Sequence, residues 1–179
     1  MIAFNMAIKI PSDDLQKEVD RRFMEGLIRF TAQSFYTAAP VPFGALIIHS
    51  DTGEILMRAR NAVAAESDPS AHAELRTIRK AAKRLKTFSL AGYTMYSTCE
   101  PCPMCMANAL WAGLDRIVYG ATIADANRHC RQIQVPAKEV ARRSDMTCTV
   151  DGPFLRAECY ALFTHPNMLK AFATWSTRK

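Results

Sequence analysis

The sequence predicts a three-layer α/β/α domain: a mixed sheet of about five strands with helices on both faces. Three observations carry this expectation. Strand-length apolar runs alternate with longer segments whose apolar residues recur at helical spacing. Asp51-Thr52-Gly53 reads as a tight turn joining two such runs into an antiparallel hairpin. A helical segment separates the runs at 93–97 and 116–120, and a crossover of that kind makes two strands parallel.

The elements follow in order. Ser12-Asp13-Asp14 is a helix-start signal, and Leu15, Val19, Phe23, Leu27 and Ile28 then recur at helical spacing. A first helix is expected to run to about Phe35, where Pro40-Val41-Pro42 ends the segment. Gly44-Ala45-Leu46-Ile47-Ile48 is a strand-length apolar run, and residues 54–60 form its hairpin partner. Asp68-Pro69 reads as an N-cap followed by proline at the first helical position. The helix it opens should reach about Lys86 and carry His72 and Glu74 in its first turn. Tyr93-Thr94-Met95-Tyr96-Ser97 is a third strand, Cys102 to Ala112 a helix closed by Gly113, and Arg116-Ile117-Val118-Tyr119-Gly120 a fourth strand. Residues 122–135 read as polar and irregular. Pro136 opens a short helix to about Arg143, residues 146–150 are a fifth strand, and helices cover 153–163 and 167–175.

Bulk properties limit the function classes. At 179 residues a single domain spanning 1–179 is expected, with chain enough for a real core. A composition of 49% apolar and 22% charged residues argues against disorder. No apolar run approaches about 18 residues, so no membrane span is expected, and the N-terminus lacks the pattern of a secretory signal. A cytoplasmic location is the resulting expectation. Six cysteines would allow three disulfides, but a chain this long and apolar does not need them. Cys102 and Cys105 are read as thiolate ligands; Cys99, Cys130, Cys148 and Cys159 are read as buried free thiols. The net charge of +6 permits a polyanionic partner. Arg76, Arg79, Lys80, Lys83, Arg84 and Lys86 lie within an acid-free stretch that is either a solvated helix face or a nucleic-acid contact.

The chemistry is concentrated in a split motif, His72-Ala73-Glu74 followed by Pro101-Cys102-Pro103-Met104-Cys105. One histidine and two cysteines supply three zinc ligands and leave the fourth tetrahedral position open, as a catalytic site requires. Glu74, two residues from the histidine, is placed to carry protons rather than to bind metal. The pattern H-x-E then P-C-x-x-C is that of zinc deaminases acting on nucleobases. A closed structural site would need a fourth ligand, and Cys99 is the sequence-near choice. A redox C-x-x-C would leave His72 and Glu74 without a task. Both ligand sets fall at expected helix starts, where the helix dipole favours thiolates.

Pro42-Phe43-Gly44-Ala45, Asn61, Asp68-Pro69-Ser70-Ala71-His72-Ala73-Glu74 and Thr98-Cys99-Glu100-Pro101-Cys102-Pro103-Met104-Cys105 together resemble the cytidine deaminase superfamily. The similarity is strongest to the branch holding guanine deaminases, related nucleoside deaminases and wobble-adenosine tRNA deaminases. It covers about 42–124 and continues weakly through 151–163. The resemblance implies a cytidine-deaminase-like fold and Zn2+ held by His72, Cys102 and Cys105. It implies Glu74 as proton shuttle, a base-binding amide at Asn61 and a substrate-facing backbone N–H at Ala73. Phe43 and Trp111 match the guanine deaminases, where an aromatic suits a purine ring; core packing is the alternative for each. Ile133 stands where some guanine deaminases carry an acid, with Asp125 and Asp145 nearby in sequence. Asp125-Ala126-Asn127-Arg128-His129 replaces the small-residue stretch of the tRNA enzymes. Substrate choice is therefore expected to lie in 122–135.

The expected activity is hydrolytic deamination of a free purine base or nucleoside, guanine first. The alternatives are a tRNA-specific adenosine deaminase, a cytosine- or cytidine-type deaminase, or a zinc-stabilised module without activity. A homodimer is expected from the resemblance, with Phe154, Tyr160 and Trp175 either covering a site or simply packing.

Overall fold

The computed structural model describes residues 13–175. Its five strands are β1 (Gly44–His49), β2 (Ile55–Arg60), β3 (Tyr93–Cys99), β4 (Arg116–Ala121) and β5 (Thr149–Asp151), in the spatial order β2-β1-β3-β4-β5. β1 is antiparallel to β2 and to β3, while β3–β4 and β4–β5 are parallel. The hairpin and the crossover therefore form as the sequence predicts. Gly53 closes the hairpin with φ 68°, and its N–H bonds to the His49 carbonyl at 2.9 Å.

Alternation along the strands separates two cores. Ala45, Ile47, Met95, Ile117, Tyr119 and Val150 face one side, packed with residues of α3 (Ala73–Leu85), α4 (Pro103–Trp111) and α6 (Ala137–Arg142). Leu46, Ile48, Tyr96 and Val118 face the other, beneath α1 (Asp13–Ala32), α7 (Arg156–Thr164) and α8 (Pro166–Trp175). Gly120 is required where α7 crosses β4: a Cβ there would fall on the Cys159 side chain and 2.9 Å from the Thr98 carbonyl oxygen.

Several boundaries differ from expectation. The first helix holds its period, but its buried face is Asp20, Phe23, Met24, Leu27 and Thr31, and Leu15 is 49% exposed. Arg116 and Tyr96 draw Asp20 inward by hydrogen bonds to its carboxylate. Ser12 of the helix-start signal lies outside the described residues. The helix expected from Asp68-Pro69 begins at Ala73. Asp68 instead closes a local turn, its Oδ1 accepting from the Ser70 N–H and hydroxyl at 2.7 Å each. His72 is left extended as the true N-cap residue. A short helix, α2 (Val63–Glu66), precedes that turn. Residues 122–135 are not irregular throughout. They open with α5 (Ile123–Asn127), started by a reciprocal capping box between Thr122 and Asp125. β5 is shorter and later than expected, and the helix expected from Pro153 begins at Arg156, after a cis Gly152–Pro153 peptide. Among the described residues no helix is long and apolar enough to cross a membrane.

Candidate active site

Two helix starts converge at the end of β3. His72 is the N-cap residue of α3 and Cys102 that of α4, both extended, with Cys105 in the first turn of α4. The His72 Nδ1 lies 3.6 Å from Cys102 Sγ and 3.5 Å from Cys105 Sγ, and the two sulfurs are 3.6 Å apart. Tetrahedral zinc with Zn–S near about 2.3 Å and Zn–N near about 2.0 Å demands ligand separations of about 3.5–3.8 Å. The cluster fits that ion as it stands. Among the described residues it holds these three donors; Cys99, the expected candidate for a closed site, is not one of them. The Cys99 thiol instead faces the Thr122 carbonyl at 3.8 Å. Hydrogen bonding from Cys105 and from His72 holds the Cys102 thiol down to about 4, so this sulfur is the ready anion. Its negative partner and burial push Cys105 the other way.

Glu74 is buried in the first turn of α3 beside this cluster. Its Oε1 accepts from the Ser97 hydroxyl at 3.2 Å, and its Oε2 lies 3.6 Å from Cys105 Sγ. Burial raises its pKa above the ordinary carboxylate range. A carboxyl raised this way is a stronger proton acceptor than an exposed one, as proton transfer to and from a reacting group requires.

A cavity of about 1180 Å³ opens over the cluster. His72, Glu74 and Cys102 line it together with Phe43, Asn61 and Met104. Phe43 sits edge-to-face on Phe163, centroids 5.3 Å apart, so it serves the core and the cavity at once. The Asn61 Oδ1 accepts from the Val63 N–H at 3.2 Å, so Asn61 shapes a local turn after β2 as well as lining the cavity. Ala73 is fully buried at the first position of α3, where its N–H has no intrahelical acceptor. Its side chain does not line the cavity. Trp111 is not brought to the site of its own chain: it is 73% exposed at the end of α4.

The stretch after β4, expected to set substrate choice, reaches the cavity with Ile133 among its residues, while Lys170 and Ala171 of α8 belong to no motif that would mark them. Cys130, Arg131, Gln132 and Ile133 line the cavity, as do Lys170, Ala171 and Trp175 of α8. Cys130 and Cys148 are half-buried rather than buried. Asp125 does not face the cavity. It caps α5 and receives both Arg156 nitrogens at 2.8 Å. Tyr160 bonds to His129 at 3.1 Å, Phe154 packs in the same core, and Trp175 meets Phe172 edge-to-face. On the basic helix Arg76 pairs with Glu66 at 2.7 Å and Arg79 with Asp68 at 3.6 Å, and Arg84 donates to the Leu56 carbonyl. Lys80, Lys83 and Lys86 remain exposed without an ion pair among the described residues.

Comparison with known proteins agrees with this geometry. The family profile described as the cytidine and deoxycytidylate deaminase zinc-binding region matches residues 17–121. The guanine deaminase of Bacillus subtilis (strain 168) is 36% identical over 104 residues, 58% of this chain and 65% of that protein. The tRNA-specific adenosine deaminase of the same organism is 37% identical over 102 residues, 57% of this chain and 62% of its own length. The chain thus spans less than two thirds of these curated relatives. Among solved structures, a guanine deaminase from Nitrosomonas europaea superposes with TM-score 0.71 at 19% identity, over 97% of this chain and 99% of that one. That likeness establishes the fold.

Proposed function

Because the chain belongs to the cytidine and deoxycytidylate deaminase zinc-binding family, we propose that it is a zinc-dependent hydrolytic deaminase of a free purine base or nucleoside, guanine first. The observation that carries this is the placement of the metal triad and buried Glu74 at one wall of a cavity that also holds Phe43 and Asn61. His72, Cys102 and Cys105 would hold the ion, which supplies Lewis acidity and lowers the pKa of water towards neutrality.

The chain's own groups do the rest. Asn61 would present its Nδ2 hydrogens to the base while its Oδ1 stays committed to Val63. The Phe43 ring would flank the purine. The Ala73 N–H, unused inside α3, would meet a polar substituent of the ring. Glu74 would take one proton at its carboxylate from the attacking water and deliver it to a ring nitrogen, then take the second proton from the hydroxyl now on the ring carbon and pass it to the amine, so that the C–N bond breaks and ammonia leaves. A homodimer is part of the same reading, with the exposed Met104 and Trp111 of α4 as its contact.

One observation favours a second reading. The unpaired Lys80, Lys83 and Lys86, with the relationship to tRNA-specific adenosine deaminases, support an RNA substrate. Ammonia release from guanine, guanosine, adenine, adenosine, cytosine and cytidine separates the readings. Guanine or guanosine should turn over, and Glu74→Gln should lower kcat by about 10²–10⁴-fold with zinc still bound. Zinc-loaded protein that turns over none of the six would sink the small-molecule reading. Salt-sensitive binding of a cognate tRNA would then favour the second.

A further inference from the structure

We infer that Glu100 is the positioning residue of the substrate loop: its buried carboxylate clamps both ends of the segment that closes one side of the cavity. Glu100 stands between the last residue of β3 and the Pro101-Cys102 turn that carries a metal ligand. Its side chain is buried, and its own N–H is fixed to the Ala121 carbonyl at 2.7 Å. One carboxylate oxygen, Oε2, accepts from the Ile123 N–H at 3.1 Å. The other, Oε1, accepts from the Ala137 N–H at 2.9 Å. These amides are the first of α5 and the first of α6, fourteen residues apart in the chain.

One short, buried group thus brings the two ends of a long excursion together. Compact surface loops of 6–16 residues with joined ends are a recurrent functional device. Beyond α5, residues 128–136 form neither helix nor strand. Their internal ties are short-range, such as the Gln132 N–H to Asn127 Oδ1 at 3.0 Å. Cys130 to Ile133, which face the cavity, fall in this part. His129 is also tied to the neighbouring helices, by its bond to Tyr160 at 3.1 Å and its stack on Phe172; from there Cys130 to Ile133 run on to the second end, and both ends of the excursion answer to a residue two positions from Cys102. Asp125 and Arg156 reinforce the first end alone. Among the described residues no other side chain hydrogen-bonds the second end. The clamp rests on the reading of the cavity as the nucleobase site for its kinetic consequence, but not for its existence.

Glu100→Gln tests it. A carboxamide keeps one acceptor and turns the other into a donor that faces an amide N–H, so one of the two anchors is lost. Amides of 124–135 should then exchange with deuterium at least about tenfold faster. On the substrate that the wild type turns over, KM should rise about tenfold or more with kcat changed less than about threefold, and discrimination among the six nucleobases and nucleosides should narrow. Zinc content should stay at one per chain. A lowered Tm with exchange and KM unchanged would make Glu100 merely structural and overturn the proposal. Zinc loss with kcat falling in step would overturn it too, by placing its role at the metal turn. Ala137→Pro cuts the second anchor while leaving Glu100 intact. Pro136 already has the extended backbone (φ −59°, ψ 144°) that a following proline needs, and the site is the first of a helix. It should reproduce the faster exchange. If the wild type turns over no nucleobase, the exchange result still decides the clamp, and only the reading of the cavity fails.

Discussion

Asn61 is proposed to use one amide for two tasks, and the two can be separated by a single atom. Its Oδ1 holds the Val63 N–H in a local turn, and its Nδ2 is proposed to donate to the base. Asn61→Asp keeps the oxygen acceptor and removes the donor. The Tm should stay within about 2 °C of wild type, while kcat/KM falls about 10–100-fold, the cost of a lost and unreplaced hydrogen bond. Steady-state kinetics beside a thermal melt reads both; kinetics equal to wild type would remove Asn61 from substrate binding. At this scale the sequence was informative where chemistry is local. His72, Cys102, Cys105 and Glu74 are chemically unusual residues at fixed spacings, and the structure brings the three donors together. Glu100 and Asp125 were not legible. Their partners are backbone amides or an arginine from distant segments, and nothing in the composition of 123–137 advertises those bonds.

Among the elements, α1 shows how a charge can belong to a buried face. Asp20 receives a bidentate pair from Arg116 of β4 at 2.8 Å and 2.8 Å, and the Tyr96 hydroxyl of β3 at 2.7 Å. Arg116 also reaches Asp151 of β5 at 2.7 Å. One network thus pins the helix across three strands. Burial alone would raise the Asp20 pKa, but the bonds from Arg116 and Tyr96 and the guanidinium charge outweigh it and hold it below the ordinary value. A carboxylate depressed in the folded state contributes stability that is complete above the unfolded pKa of about 4 and is lost as pH falls through the folded value. Asp20→Asn should therefore cost about 3 kcal/mol at pH 7, since it leaves Arg116 partly unpaired. The gap from wild type should close as pH drops below about 4. Denaturant melts at pH 7 and pH 3 check this, and a gap that stays constant would refute the linkage. The apolar period of α1 was readable from Phe23 and Leu27, but not the inward turn of Asp20, because periodicity scores aspartate as a solvent residue. The start of α3 departs from the expected one for a related reason. Asp68 is a good cap by type, yet its oxygen is spent on Ser70.

At the scale of the whole molecule, α4 connects the metal centre to an uncovered surface. Its first turn carries Cys102 and Cys105, and its outer face presents Met104, 37% exposed at the cavity, and Trp111, 73% exposed two turns further on. An indole left in water on a helix whose other side is core is the kind of residue that anchors an interface. A second copy covering both side chains would also wall the open side of the cavity at Met104. This accounts for a Trp111 that matches the guanine deaminases in sequence yet stands away from the cavity of its own chain. The expected particle in solution is then about twice the chain mass of 20.0 kDa. Trp111→Glu puts a charge where the indole would be buried, and should shift the protein to monomer. Because Trp111 touches no part of the metal triad, zinc content should not change. KM for the small substrate should rise, since the wall formed by the partner is lost, and the rise should diminish as protein concentration is increased enough to restore the dimer. Sedimentation velocity and initial rates over the same concentration range test both statements together. A wild-type protein that sediments as a monomer at micromolar concentration with full activity would show that the cavity is complete within one chain, and would leave Trp111 to some other contact.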